Sequence, residues 1–90
     1  MSTVWLQQVL RPDAGGKKEL EIAGSSLGDV VTALVEQYPS LRGKLLTDDG
    51  EINRFVNVYV NGEDVRYLDG LATPIAERDV IRLVPAMAGG

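Results

Sequence analysis

The groups that could do chemistry in this chain are few, and the missing residue types narrow them first. There is no histidine and no cysteine. A His general base, a thiol nucleophile, a disulfide framework and metal sites built from His and Cys are all excluded. What stands out is the end of the sequence, Ala86-Met87-Ala88-Gly89-Gly90. A terminal α-carboxyl has a pKa of ~3.3–3.7, so Gly90 is ionised at neutral pH. A carboxylate is a poor electrophile and becomes an acyl donor only after activation. Residues without Cβ allow close backbone approach and unusual φ values. Without a fold to support it, Gly89-Gly90 would be an ordinary frayed chain end.

Other polar groupings are weaker. Asp48, Asp49 and Glu51 form an acidic loop, too tight for the EF-hand ligand loop of about 12 residues, and read as a solvated turn. Gly15-Gly16 precedes no helix, so it is a hairpin turn and not a phosphate loop. Lys17, Lys18 and Lys44 read as solvated, and Trp5 as packing.

Ninety residues with 44% hydrophobic content allow one domain with a small core. Thirteen acidic and nine basic residues give a net charge of -4. The basic residues are scattered, apart from Lys17-Lys18, which argues against a nucleic-acid surface. The acidic balance fits docking onto a basic partner. Met1-Ser2-Thr3-Val4-Trp5 has no charged leader with an apolar segment behind it, and no apolar run approaches the ~20 residues of a membrane span. No membrane association is expected. A small chain without disulfides suits a reducing compartment, so a cytoplasmic location is expected.

The elements that must position the tail follow from periodicity. Val4 to Leu10 reads as a strand with Val4 and Leu6 on one face, and Arg11 to Gly16 as a turn. Lys18 to Ile22 alternates, with Leu20 and Ile22 opposite Glu19 and Glu21, and completes a hairpin. Leu27, Val30, Val31, Leu34, Val35 and Tyr38 share one helical face. Ser26 is its N-cap, Asp29 resembles a capping-box partner, and Pro39 marks the stop. Leu41, Leu45 and Leu46 suggest a short second helical turn. Phe55 to Val60 is a strand with Val56, Val58 and Val60 on one face and Phe55, Asn57 and Tyr59 on the other. Asn61-Gly62 signals a type I′ turn, after which Glu63 to Tyr67 pairs back. Asp79 to Val84 is the last strand, ended by Pro85. The expected class is α+β: a mixed sheet of four to five strands packed on one main helix. Residues 1–85 form the domain and 86–90 a flexible tail.

This order, ending in Gly-Gly directly after the last strand, resembles the β-grasp, ubiquitin-like sulfur carriers of the MoaD and ThiS family. The resemblance covers the whole chain. Within that family it is similar to the CysO branch through LRPDAGG (residues 10–16), RFVNVYVNGEDVR (54–66), GLATPIAERD (70–79) and VPAMAGG (84–90). One departure is Glu77-Arg78-Asp79, where many relatives carry a glycine in the turn before the last strand. The resemblance implies a protein co-substrate and not an enzyme. An E1-like enzyme would use ATP to adenylate the Gly90 carboxylate, and sulfur would displace AMP to leave a thiocarboxylate. Met87, Ala88 and Gly89 would thread into the partner. Five residues past Pro85 reach at most ~16–18 Å, enough to enter a pocket while the body stays outside. The carrier itself would bind no cofactor.

The resemblance also implies a sulfur-accepting synthase, either a PLP-dependent cysteine synthase acting on an activated serine or a thiosugar synthase. A metallopeptidase would release the cysteinyl product. Molybdopterin or thiamine synthesis, and a ubiquitin-like modifier joined to lysines, are the rival uses of the same tail. If the last strand lies beside the long middle strand, as in the family, then Phe55, Tyr59, Arg82 and Val84 form a partly apolar face for docking the activating enzyme. The plainer reading of that face is ordinary cross-strand pairing.

Overall fold

The structure is a computed structural model and describes residues 1–85. Met87, Ala88 and Gly89, expected to thread into a partner, and Gly90, the expected adenylation and thiocarboxylate site, lie outside the described residues.

The chain begins with β1 (Ser2–Leu6) and β2 (Glu19–Ile22), paired antiparallel with Val4 opposite Leu20. Next come α1 (Leu27–Gln37) and the short α2 (Arg42–Leu45). The strands β3 (Val56–Val60), β4 (Glu63–Asp64) and β5 (Val80–Pro85) complete the fold. The five strands form one mixed sheet in the order β2-β1-β5-β3-β4. The central pair, β1 and β5, is parallel, and the others are antiparallel. This is the expected β-grasp roll.

Helix α1 starts where its sequence requires. The Ser26 hydroxyl accepts from the Asp29 backbone N–H at 3.2 Å, while the Asp29 carboxylate accepts from the Ser25 hydroxyl at 3.1 Å. The reciprocal cap thus reaches one residue further back than expected. Leu27, Val30, Val31 and Leu34 are buried against the inward side chains Val4, Leu6, Leu20, Ile22, Val56, Val58, Val60, Ile81 and Leu83. Each large apolar side chain buried there contributes ~1.5–3 kcal/mol before entropy is charged.

Several boundaries differ from the sequence reading, each for a local reason. The first strand stops at Leu6, and Gln8–Ala14 forms a 3-10 helix where strand and turn were expected. Leu10 and Ala14, four residues apart, both turn into the core, a spacing that strand and helix share. The fixed φ of Pro12 is compatible with this winding. The return strand after the hairpin is only Glu63–Asp64, because the Asp64 carboxylate accepts from the Arg66 backbone N–H at 2.9 Å and winds Val65–Tyr67 into a 3-10 turn. Pro85, placed by the sequence just beyond the last strand, lies within β5 opposite Val56.

The two turns flanking the β3–β5 ladder are locked together. Asn61 and Gly62 have φ of 51° and 90°, the signature of the expected type I′ turn. Asn61 Nδ2 donates to the Asp79 carboxylate at 2.9 Å, and Asn61 Oδ1 accepts from the Val80 N–H at 3.0 Å. The other Asp79 carboxylate oxygen accepts from the Ala76 N–H at 2.8 Å. This leaves Arg78 at φ 74°, so the chain bends there without a glycine.

Candidate functional site

The sheet face turned away from α1 is the one left for a partner. Register carries a single row of side chains across all five strands: Glu19 beside Trp5, Trp5 beside Arg82, Arg82 beside Tyr59, and Tyr59 beside Asp64. One step along, Asn57 lies opposite Val84. These positions fall outward because their neighbours Val4, Leu6, Val58, Val60, Ile81 and Leu83 fill the core.

Three of the four expected docking residues come together. Tyr59, Arg82 and Val84 line one shallow depression with Asn61, Gly62 and Val80. Phe55 does not join them. It precedes β3, is 51% exposed, and lies at the rim of a separate groove with Val9, Lys44, Asn53 and Pro85. There the Arg54 guanidinium stands 5.6 Å from its ring centroid.

The β4 edge of the face is fixed electrostatically. Arg66 donates from Nη2 to Asp64 at 2.7 Å and to the Asn57 side-chain oxygen at 2.6 Å. The guanidinium bonds hold the Asp64 carboxyl below its usual pKa, and the carboxylate in turn raises that of Arg66. Asp79 is likewise lowered, by the Asn61 amide first and the Ala76 N–H second.

Trp5, read from the sequence as packing, is instead half-buried on this open face. The guanidinium carbons of Arg82 and Arg11 lie 5.3 Å and 5.7 Å from its ring centroid. Arg11 is tethered by its Nε, which donates to the Leu6 carbonyl at 3.1 Å. A signal for Trp5 was present. Alternation that sends Val4 and Leu6 inward must send Trp5 outward.

The remaining polar groupings behave as surface. Thr47 and Glu51 close the acidic loop on itself through a 2.8 Å backbone bond. Among the described residues no three metal-ligating side chains converge, and no helix is long and apolar enough to cross a membrane. Lys17 and Lys18 are exposed, while Lys44 is ion-paired with Asp13.

Known proteins share both the sequence and this architecture. The sulfur carrier protein CysO of Mycobacterium tuberculosis is 43% identical over 90 residues, which span 98% of this chain and 97% of that protein. Its crystal structure superposes with a TM-score of 0.89 at 40% identity, covering 97% of this chain and 100% of that one. The crystal structure of the Amycolatopsis orientalis BexX/CysO complex contains a chain that matches with a TM-score of 0.92 and 32% identity, with full coverage of both. Small archaeal modifier protein 3 of Haloferax volcanii is 41% identical over 66 residues, spanning 73% of this chain and 71% of that protein. The profile of the ThiS family matches residues 4–90. With its β-grasp sheet, its CysO-like sequence over nearly the full length and that family match, this chain belongs to the ThiS family of sulfur carriers.

Proposed function

We propose that this sulfur carrier works through the Gly90 carboxylate and serves partner enzymes as a co-substrate. The observation that carries the reading is that the family match runs through Gly90 itself. The Gly89-Gly90 pair falls inside the matched span, and the chain has no His or Cys of its own.

The chemistry balances without any side chain of the carrier. A Gly90 carboxylate oxygen attacks the α-phosphorus of ATP bound by an E1-like enzyme, and pyrophosphate leaves. Sulfide attacks the acyl carbon of the adenylate, AMP leaves and a proton is lost to give the thiocarboxylate. A persulfide sulfur gives an acyl disulfide instead, and a thiol of the partner then attacks the partner-side sulfur, releasing the thiocarboxylate and leaving a disulfide on the partner. The thiocarboxylate is then a soft nucleophile, for the reason that a thiolate outreacts a thiol. Its sulfur attacks an activated carbon held by a second enzyme. Likeness to CysO supports an amino-acid acceptor on a PLP-dependent synthase, with a metallopeptidase releasing the product. A relative solved in the BexX/CysO complex supports docking of such a carrier onto a partner, and a thiosugar synthase is the corresponding alternative. A cytoplasmic setting fits this ATP-dependent chemistry. The modifier relative favours one second reading, an isopeptide bond from Gly90 to a lysine.

Intact mass after incubation with the activating enzyme, ATP and a sulfur source tests the proposal. The full chain gains the mass of an oxygen-to-sulfur exchange. Deleting Gly90, or adding a residue after it, abolishes the gain while circular dichroism stays unchanged. Normal loading of the deletion refutes the reading, and a lysine-linked ladder in place of thiocarboxylate favours the modifier.

A further inference from the structure

We infer that Trp5, with Arg11 and Arg82 against its ring, is the seat for a carboxylate-bearing, partly apolar segment of the activating partner. The inference rests on the carrier reading and names the chemistry its docking face selects.

The two guanidiniums share one aromatic ring, at 5.7 Å and 5.3 Å. Each is attracted to the ring and repelled by the other. A carboxylate arriving at the ring can take charge-assisted hydrogen bonds from the free N–H groups of either guanidinium. Among the described residues no carboxylate lies within 4.0 Å of either one, since the side-chain ion pairs use Lys44 with Asp13 and Arg66 with Asp64. Glu19, beside Trp5 in the row, remains outside that distance.

The other cations of this region are differently placed. Arg66 is already engaged through Nε and Nη2 by Asp64 and Asn57. Arg11 spends only its Nε on the Leu6 carbonyl, and Arg82 makes no side-chain hydrogen bond among the described residues. Their free N–H groups are therefore available to a partner. On the other side of Arg82, Tyr59, Val80 and Val84 line the depression that would take an apolar side chain next to the carboxylate. A tryptophan, a tyrosine and an arginine on one row, with Arg11 of the 3-10 helix against the tryptophan, have the composition of an interface hot spot.

Two measurements test the seat. The first needs no loading chemistry. Trp5 is the chain's only tryptophan, so its fluorescence reports the seat directly. Titration with acetyl-Glu-Phe-Glu-amide at millimolar concentration shifts the emission, whereas acetyl-Lys-Phe-Lys-amide does not. The double variant R11Q/R82Q loses the response. Equal response to both peptides, or none to the acidic one, overturns the inference. The second measurement is loading kinetics. R11Q and R82Q each raise the KM for the carrier about tenfold with kcat within about twofold, and flatten its dependence on salt. A wild-type chain that loads, with both variants matching its KM at every ionic strength, overturns the seat and leaves the carrier reading intact. A wild-type chain that never gains sulfur, yet answers only the acidic peptide, refutes the carrier reading and supports the seat.

Discussion

Replacing Asn61 by glycine removes the side-chain bridge between the two turns while keeping a residue at ease at φ 51°. Two bonds disappear. One is the Asn61 Nδ2–H to the Asp79 carboxylate at 2.9 Å, and the other is the Val80 N–H to Asn61 Oδ1 at 3.0 Å. A neutral bond contributes about 0.5–1.5 kcal/mol and a charge-assisted one about 1.5–3. Both sit at the solvent, so the low end applies, and the loss is about 1–2 kcal/mol. For a domain of this size that lowers Tm by about 4–8 °C per kcal/mol. Thermal and urea unfolding of Asn61→Gly, Asp79→Ala and the double variant would measure it. The cycle should show coupling of about 0.5–1 kcal/mol, because the two side chains act through one bond. Acid supplies an independent check. Asp79 has its folded pKa lowered by Asn61 first and Ala76 second. Its contribution is therefore fully present above the unfolded pKa of ~3.9 and is lost as pH falls through the folded value. The gap between wild type and Asn61→Gly should narrow below about pH 4. Additive effects within about 0.3 kcal/mol, or a gap that stays constant into acid, would refute the bridge.

Two further changes follow from backbone geometry. A Cβ at Gly24 would stand 2.8 Å from Val30 Cγ2 and 2.9 Å from the Val30 backbone nitrogen; Gly24→Ala should cost about 1–3 kcal/mol by urea unfolding, since the start of α1 cannot retreat from it. Arg78 holds φ 74°, so Arg78→Gly removes a left-handed penalty of about 1–2 kcal/mol against a glycine entropy cost of about 0.5–1. The net gain should be a few tenths to about 1 kcal/mol, read as a small rise in Tm.

The main helix and the long strands were legible because their side chains repeat at their own periods. Leu27, Val30, Val31 and Leu34 can only share a face as a helix, and Val56, Val58 and Val60 only as a strand. The stretch from Gln8 to Ala14 was not legible as a 3-10 helix, because two buried positions, Leu10 and Ala14, are too few to establish a period. Glu63 to Tyr67 failed differently: the strand is cut short by a side chain, Asp64, folding onto its own backbone. For the site, the tail was read only as a motif in its fold order, and it lies outside the described residues. Tyr59, Arg82 and Val84 could be grouped only by supposing that β3 and β5 were neighbours, and they are. Phe55 was misplaced because alternation says nothing about where pairing begins. Trp5 was set aside by type, since aromatics usually pack, although its parity pointed outward.

The sign of the docking surface illustrates a deeper limit of composition. A net charge of -4 suggests a basic partner. Yet exposed charges are screened beyond about 8 Å at physiological salt, so a contact responds to the few groups beneath it and not to the total. At the middle of this sheet those groups are Arg11 and Arg82, with Glu19 and Glu21 displaced to the β2 edge. Asp64 on the other edge is already neutralised by Arg66. The field of such a face is directional, negative along one edge and positive at its centre. An incoming surface is rewarded only when a carboxylate arrives over Trp5, which fixes its orientation.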